Sequence, residues 1–570
     1  MLVQQCTIKP IYYLNVKSLL TTMNRREFFT GNAEIAPKTG VSLPRTQTGL
    51  TPYGGPWTLS EVKHLLRRTV FGATKTDCDY FIGQGRSAAV AELLTIPASV
   101  PSPPLYVSTT YNDPNVPFGQ TWINAPYDAQ ANGGRRTSLR GWWISQLLSG
   151  ERSIRERMVL FWHNHFSTEI AGIFDARYCY NHNILLRQYA LGNFKDLTRA
   201  VTLDPAMLRY LNGYLNTATA PDENYGRELQ ELFTVGKDAN GLPYYNEDDV
   251  QAAARVLTGY RITGTTATSY FDATRHDTAD KIFSAYYNNT VIIGRTGTAG
   301  QDELEDLLTM IFSKQEVALN ICRRLYRHFV YYTIDAAAET DVIQPLAAIF
   351  RNNNYDILPV LDALLNSEHF FDMANRGALI KSPIDFCVST CRDFDVAFPT
   401  ASTLSEQYAL WSRVHTQSSG MGQAIGDPPD VAGWPAYYSA PMYHELWINA
   451  STLPLRNTFV DRMLLFGYTS GSSTIKIDFV QYVGTLQSPA DPELLVQEVL
   501  DRHYCFDTSQ NLKDYLKSIL LSGQAQNYYW TQAWDDYVNN PGDPTYYMIV
   551  ESRLRSMFQY VMKLAEYQLS

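Results

Sequence analysis

The chain has 570 residues, 45% of them hydrophobic and 18% charged, which is the composition of a globular protein too long to be built on one simple core. Its net charge of -10 leaves no excess of Lys and Arg to displace counterions from a phosphate backbone, which excludes nucleic acid as a partner. Seven cysteines without CxxC spacing argue against a zinc ribbon or a redox dithiol, and no run reaches the roughly 18 apolar residues of a membrane helix.

Residues 1–55 are rich in Thr, Pro and Gly without apolar periodicity and read as an extended or disordered leader. Within them, Arg25-Arg26-Glu27-Phe28-Phe29 carries a twin-arginine-like export pattern. The following "AEIAPKTGVSLPRT" is not the apolar stretch that such a signal needs. The expectation is a periplasmic or extracellular protein, with the weak leader leaving the cytoplasm open.

Helices begin at "TLSEVKHLLRRTVFG", where Ser60 is placed to cap the start, Val62, Leu65, Leu66 and Val70 recur at helical spacing, and Gly72 ends the pattern. A Pro-, Tyr- and Asn-rich loop from about Ile96 to Gly134 leads to "LRGWWISQLLSG". Next, "SIRERMVLFWHNHF" opens with a capping-box pattern of Ser153 and Glu156. Helical spacing continues at about 180–192, 195–202, 222–236, 246–259, 302–313, 315–329, 340–352, 355–366 and 376–393. The stretch from Thr268 to Gly297 interrupts it with β-branched and aromatic runs that predict a small hairpin. A long Pro-, Gly- and aromatic-rich segment, "GDPPDVAGWPAYYSAPMYHELWINAST", is placed to wall a pocket or cover the helical body.

The fold class is therefore mainly α: a large multi-helix body with a small β-hairpin insertion and a long irregular segment. Residues 56–455 form the expected main domain, and 456–570 a C-terminal helical region packed on it.

Three stretches carry residue types suited to chemistry. In "LFWHNHFST", His163 and His165 project about 160° apart on a helix that is apolar almost all round, which predicts burial and makes it hard for one metal to hold both. In "APDENYGRELQELFTVG", Asn224, Glu228 and Glu231 share one flank of the apolar stripe, a spacing that suits a divalent cation or an acid/base pair. Arg227 is spaced to pair with Glu223 and Glu231, the ordinary ladder of ion pairs. In "RHDTADK", His276, Asp277 and Lys281 sit in a loop or hairpin where an imidazole beside a carboxylate can act as a base, or Asp277 can simply make a turn. "HELWI" lacks the second His of a zinc-protease helix, there is no GxSxG, and "GRTGTAGQDE" lacks the Lys-Ser/Thr of a phosphate loop.

In order along the chain, "HLLRRTVFGAT", "RERMVLFWHNHFST", "NHNILLRQYALGNFKDLTRAVTLDPAMLRYLNG", "PDENYGRELQELFTVG", "DVQAAARVLTGY", "HDTADK", "ALIKSPIDFCVSTCRDF" and "GDPPDVAGWP" resemble the blocks of a bacterial family, domain of unknown function 1800, over roughly residues 57–460. The family's patterns match at His163, His165, Asn181, His182, Arg187, Asn224, Arg227, Glu228, Glu231, His276, Asp277, Lys281 and Trp434, with Gly226 standing where Ala is typical. No catalytic role comes with the match.

The resemblance implies a helical, commonly exported protein, often encoded beside domain of unknown function 1501 proteins, which resemble sulfatases and alkaline phosphatases. Two functions are expected from it. The first is a non-catalytic exported or cell-surface accessory or scaffold protein working with that sulfatase-like partner, on surface polysaccharide. The alternative is a metal-assisted hydrolase or polymer-modifying enzyme. Its divalent metal would be held by His163, His165, Glu228 and Glu231, and its chemistry carried by His276, Asp277, Lys281 and Arg227.

Overall fold

Helix α1 (Leu59–Thr69) starts two residues earlier than Ser60 suggests, because Thr58 caps it and Glu61 returns a bond to the Thr58 amide at 2.9 Å. It is the first helix among the residues that the computed structural model describes, 49–400 and 403–570, all within one compact unit. The twin-arginine pattern and Cys6 lie outside the described residues.

The helices that position the candidate residues follow in order. They are α2 (Asn132–Leu148), α3 (Arg155–His165), α4 (Ala176–Gln188), α5 (Glu223–Glu228), α6 (Glu247–Val256), α7 (Glu303–Phe312), α8 (Gln315–Phe329) and α9 (Pro383–Asp393). After them come α10 (Leu404–Gly420), α11 (Thr452–Leu465), α12 (Pro492–His503) and α13 (Pro544–Lys563), with further helices between.

The protein is mainly α, as its periodicity predicts. Among the described residues the strands form three two-stranded antiparallel pairs: β1 (Tyr260–Thr263) with β2 (Thr268–Phe271), β3 (Lys281–Ile282) with β4 (Val291–Ile292), and β5 (Tyr468–Ser470) with β6 (Ser473–Ile475). The single expected hairpin is thus two hairpins in series, and the third, around Gly471, has no counterpart in the periodicity reading.

Helix α3 is buried on every side, and this changes how it begins. Ser153 makes no side-chain cap of the capping-box kind. Its hydroxyl donates to Thr95 O at 2.9 Å, and Glu156 is drawn instead to Arg187 of α4, whose Nη2 lies 2.7 Å from Glu156 Oε2. A buried guanidinium competes better for a carboxylate than a helix-end amide does. α2 packs along α10 and touches α9, α3 packs along α4, and α5 packs along α6. The loop before α2 is pinned by Arg135 and Asp113, a pair at 2.6 Å with both side chains fully buried. α11 runs through position 455 and packs on α13, while α12 packs on α1.

Candidate functional site

His163 and His165 face different neighbours, as the helical geometry requires. The His163 ring lies 5.0 Å from Trp143, 6.0 Å from His182 and 6.2 Å from Trp434. Burial, with the neighbouring His182, holds its imidazole down to about 3, so it is neutral at neutral pH. His182 in turn bonds through Nδ1 to Asp204 Oδ2 at 3.0 Å. His165 bonds through Nε2 to Phe233 O at 3.0 Å among Trp162, Phe166 and Phe194. A carbonyl only accepts, so Nε2 of His165 carries the proton. Both histidines are 2% exposed.

Asp222 caps α5, and the chain then passes into a π-helical turn over Leu229–Phe233. Gly226 lets this helix lie on α6: a methyl group there would stand 3.2 Å from Ala254 N and 3.3 Å from Val250 O. Asn224 is exposed. Arg227 pairs with Glu247 at 2.6 Å and Glu223 at 3.3 Å, and Glu231 with Lys237 at 2.5 Å, while Tyr245 donates to Glu231 at 3.1 Å. The expected Arg227–Glu223 pair forms within the helix, whereas the expected Arg227–Glu231 pair is replaced by Glu247 for Arg227 and by Lys237 and Tyr245 for Glu231. Glu228 is half-buried, and desolvation, then Glu231 and Asp430, raise its carboxyl above the ordinary range.

The third stretch builds a buried charge network. His276 Nδ1 bonds to Thr258 O at 3.0 Å, and its Nε2 lies 3.2 Å from Glu303 Oε1. Glu303 Oε2 accepts from Lys281 at 2.6 Å, both side chains being fully buried, and Arg255 holds Asp277 at 2.8 Å. Glu303, Arg255 and Thr258 complete a set of which the sequence shows only half.

Two of these stretches are anchored at opposite ends of α6. Arg227 is tied to Glu247 at the start of α6 and Asp277 to Arg255 at its end. Eight residues of helix at 1.5 Å each separate these anchors by about 12 Å. His165 and Glu231 are bonded to other partners, and among the described residues no group of three or more His, Cys, Asp or Glu is arranged to hold a metal ion. The four residues do not fit a common metal centre in this geometry.

A different set converges. The last turn of α1 supplies Arg67 and Arg68, α3 supplies Arg157, and the end of α8 supplies Arg327 and His328, around a small cleft of about 50 Å³. The irregular segment walls it with Ala436, Tyr437, Tyr443, His444 and Trp447. One lining side chain is a carboxylate, Asp385, and it is paired with Arg157 at 2.7 Å.

Arg157 also stacks 4.1 Å from the Phe71 ring centre and donates to Val70 O at 2.5 Å, and Arg68 donates to Asn375 O at 2.9 Å. Nε of Arg67, Arg68 and Arg157 and Nε2 of His328 have no partner. Burial brings Arg68 down to about 10, still charged at neutral pH, and His328 to about 3. The signal in the sequence was "RR" closing an otherwise apolar helix and "RER" opening another. An apolar-stripe reading treats such residues as solvated ends.

The family model described as "Protein of unknown function (DUF1800)" matches residues 64–569. That span reaches past the block resemblance ending near 460 and takes in α11 to α13. No curated protein and no solved structure matches the chain.

Proposed function

The chain belongs to the DUF1800 family, whose description assigns no function, and we propose that it binds an anionic group of its ligand in the arginine cleft. The observation that carries this reading is the convergence of the positive charges of Arg67, Arg68, Arg157 and Arg327 on one cleft with a single carboxylate side chain among them, Arg67 contributing charge alone because both its terminal nitrogens are bound within the protein. Guanidinium groups present planar forks of donors that match sulfate, phosphate and carboxylate oxygens, and partial burial strengthens each bond. Neutral His328 and the Tyr437 and Tyr443 hydroxyls add uncharged polar groups, and Trp447 an apolar wall. This is the lining of a binding site for an esterified or sugar-borne anion.

The accessory reading of the sequence accords with this chemistry. A protein that holds anionic groups is a natural companion to a sulfatase-like protein of the domain of unknown function 1501 family, acting on exported or cell-surface polysaccharide. The link is the shared ester chemistry, and co-purification of the two chains tests it.

The cleft itself is tested by titrating the full chain with inorganic sulfate and phosphate at low ionic strength, following the unfolding midpoint. Saturable stabilisation is expected, reaching about 2.7 kcal/mol at a hundredfold excess over Kd. Arg68→Gln and Arg327→Gln should each weaken it. Wild-type protein that gains no stability from either anion, or variants that respond as wild type does, would sink the proposal.

The metal-assisted alternative keeps one favourable observation, the raised carboxyl of Glu228 beside Glu231 and Asp430, which a divalent cation would relieve.

A further inference from the structure

Among the described cysteines, Cys78, Cys179, Cys322, Cys387 and Cys391 are buried and Cys505 is half-buried. Burial drives the five buried thiols up, Cys78 and Cys391 to about 12, which makes them inert. Cys505 goes the other way. Its Sγ lies 2.9 Å from Arg67 Nη1, the kind of close contact that a charged donor makes to a charged acceptor. The guanidinium cannot swing aside, because Nη2 is held by Arg502 O at 3.0 Å and His503 O at 2.8 Å.

A second, independent feature points to a negative charge nearby. Lys381 is 3% exposed, and its Nζ has no hydrogen-bond partner, only the face of Tyr567 at 4.3 Å from the ring centre. It lines a small cavity with Arg67, Gly72, Asp385, Ser389, Asp393 and Ser570. A buried ammonium without a partner calls for a nearby negative charge.

The charged groups around Cys505 are cationic in majority. α1 brings Lys63, Arg67 and Arg68, the chain ahead of α9 brings Lys381, and α12 brings Arg502. Lys63 Nζ donates to Tyr504 O at 2.6 Å, one residue before the thiol. On the other side stand Asp393 and Asp385 of α9. Asp393 already accepts from Ala73 N at 2.7 Å and Asp385 from Arg157 at 2.7 Å. Burial alone would raise the Cys505 thiol; Arg67, Lys63, Lys381 and Arg68 outweigh it and bring it below its ordinary value.

We propose that Cys505, whose Sγ is held against the Arg67 guanidinium with Lys381 behind it, is a site of covalent modification by small peroxides and soft electrophiles. With hydrogen peroxide, the sulfur lone pair attacks one oxygen, the S–O bond forms as the O–O bond breaks, and hydroxide leaves to be protonated by solvent. Sulfur gives up two electrons and the peroxide takes them, leaving a sulfenic acid. With iodoacetamide, the S–C bond forms as the C–I bond breaks and iodide departs.

The experiment is a short iodoacetamide pulse on the folded full chain from pH 6 to 10, with each cysteine scored by peptide mass mapping. A parallel peroxide treatment is trapped with dimedone. Cys505 is expected to react before Cys78, Cys179, Cys322, Cys387 and Cys391, with a midpoint below the roughly 8.5 of a free thiol, and to give the dimedone adduct. Arg67→Gln should move the midpoint up and slow reaction at pH 7 roughly tenfold per unit moved, while Arg67→Lys should keep most of the reactivity. Lys381→Met, which leaves the Arg67 contacts in place, should shift the midpoint in the same direction and carries the test if Arg67→Gln does not fold. A wild-type Cys505 that labels no faster than the buried cysteines, or titrates at or above the free-thiol value, would overturn the assignment.

Discussion

The side-chain oxygen of Asn164 accepts the backbone amide of Trp434 at 2.8 Å, a bond that spans 270 residues and fastens the irregular segment to the end of α3. Gly433 makes the approach possible. Its φ is +93°, and a methyl group there would stand 2.4 Å from both oxygens of Asn164. Asn164→Ala leaves a buried amide unpaired and should cost about 1–3 kcal/mol, read as a lower urea midpoint. Gly433→Ala should cost at least as much, because it adds a clash to a strained backbone. Wild-type midpoints in both would show that this bond does not hold the segment.

The Lys281–Glu303 pair is expected to be structural. Lys281→Met strands the Glu303 charge in the core and should destabilise by about 3–5 kcal/mol, whereas the Lys281→Met, Glu303→Leu double variant should recover much of the loss. If the single variant keeps full stability, the pair is not a structural clamp, and a chemical role for the His276 stretch gains ground.

Acid should destabilise the protein before its carboxylates titrate. His163 and His328 are held down to about 3 and His415 to about 4, while His64, His165 and His503 are also lowered, in each case by burial first. The unfolded chain takes these protons near pH 6.5 and the folded chain does not, so stability is full above 6.5 and falls as pH drops toward the lowered values. Each such histidine contributes at most about 1.4 kcal/mol per pH unit. Urea midpoints between pH 7.5 and 5 should fall, and His163→Gln should make the fall shallower. A flat profile for the wild type would refute buried neutral histidines.

Glu228 separates two readings of its own surroundings. Its carboxyl is raised, so the folded protein gains stability as pH falls through that value, and Glu228→Gln at pH 7 should be neutral or slightly stabilising. Were the Glu228 edge to bind a divalent cation, calcium or magnesium would raise the wild-type midpoint, and Glu228→Gln would abolish that response. Elemental analysis of the purified chain, with His163→Ala and Glu228→Ala variants beside it, gives the same answer by composition.

What the sequence determined by itself was local. The boundaries of α8 at Gln315 and Phe329 match the apolar spacing to the residue, because an amphipathic stripe and its ends are properties of neighbouring residues. Where the register of one residue settled the matter, prediction slipped: α9 starts at Pro383 rather than 376, since Ser382 caps it and Pro383 occupies its first turn. The opposed directions of His163 and His165 were also legible, since they follow from 100° per residue.

Tertiary structure decided which polar residues meet. Glu156 left its expected cap for Arg187, Glu231 turned to Lys237 and Tyr245, and Lys281 found Glu303. The cleft joins Arg67, Arg157 and Arg327 from three helices separated by about a hundred residues or more. A charge in a sequence gives no sign of its partner, because desolvation and pairing are set by whatever the folded chain brings within about 4 Å. Periodicity is carried by adjacent residues, and electrostatic company is carried by the fold.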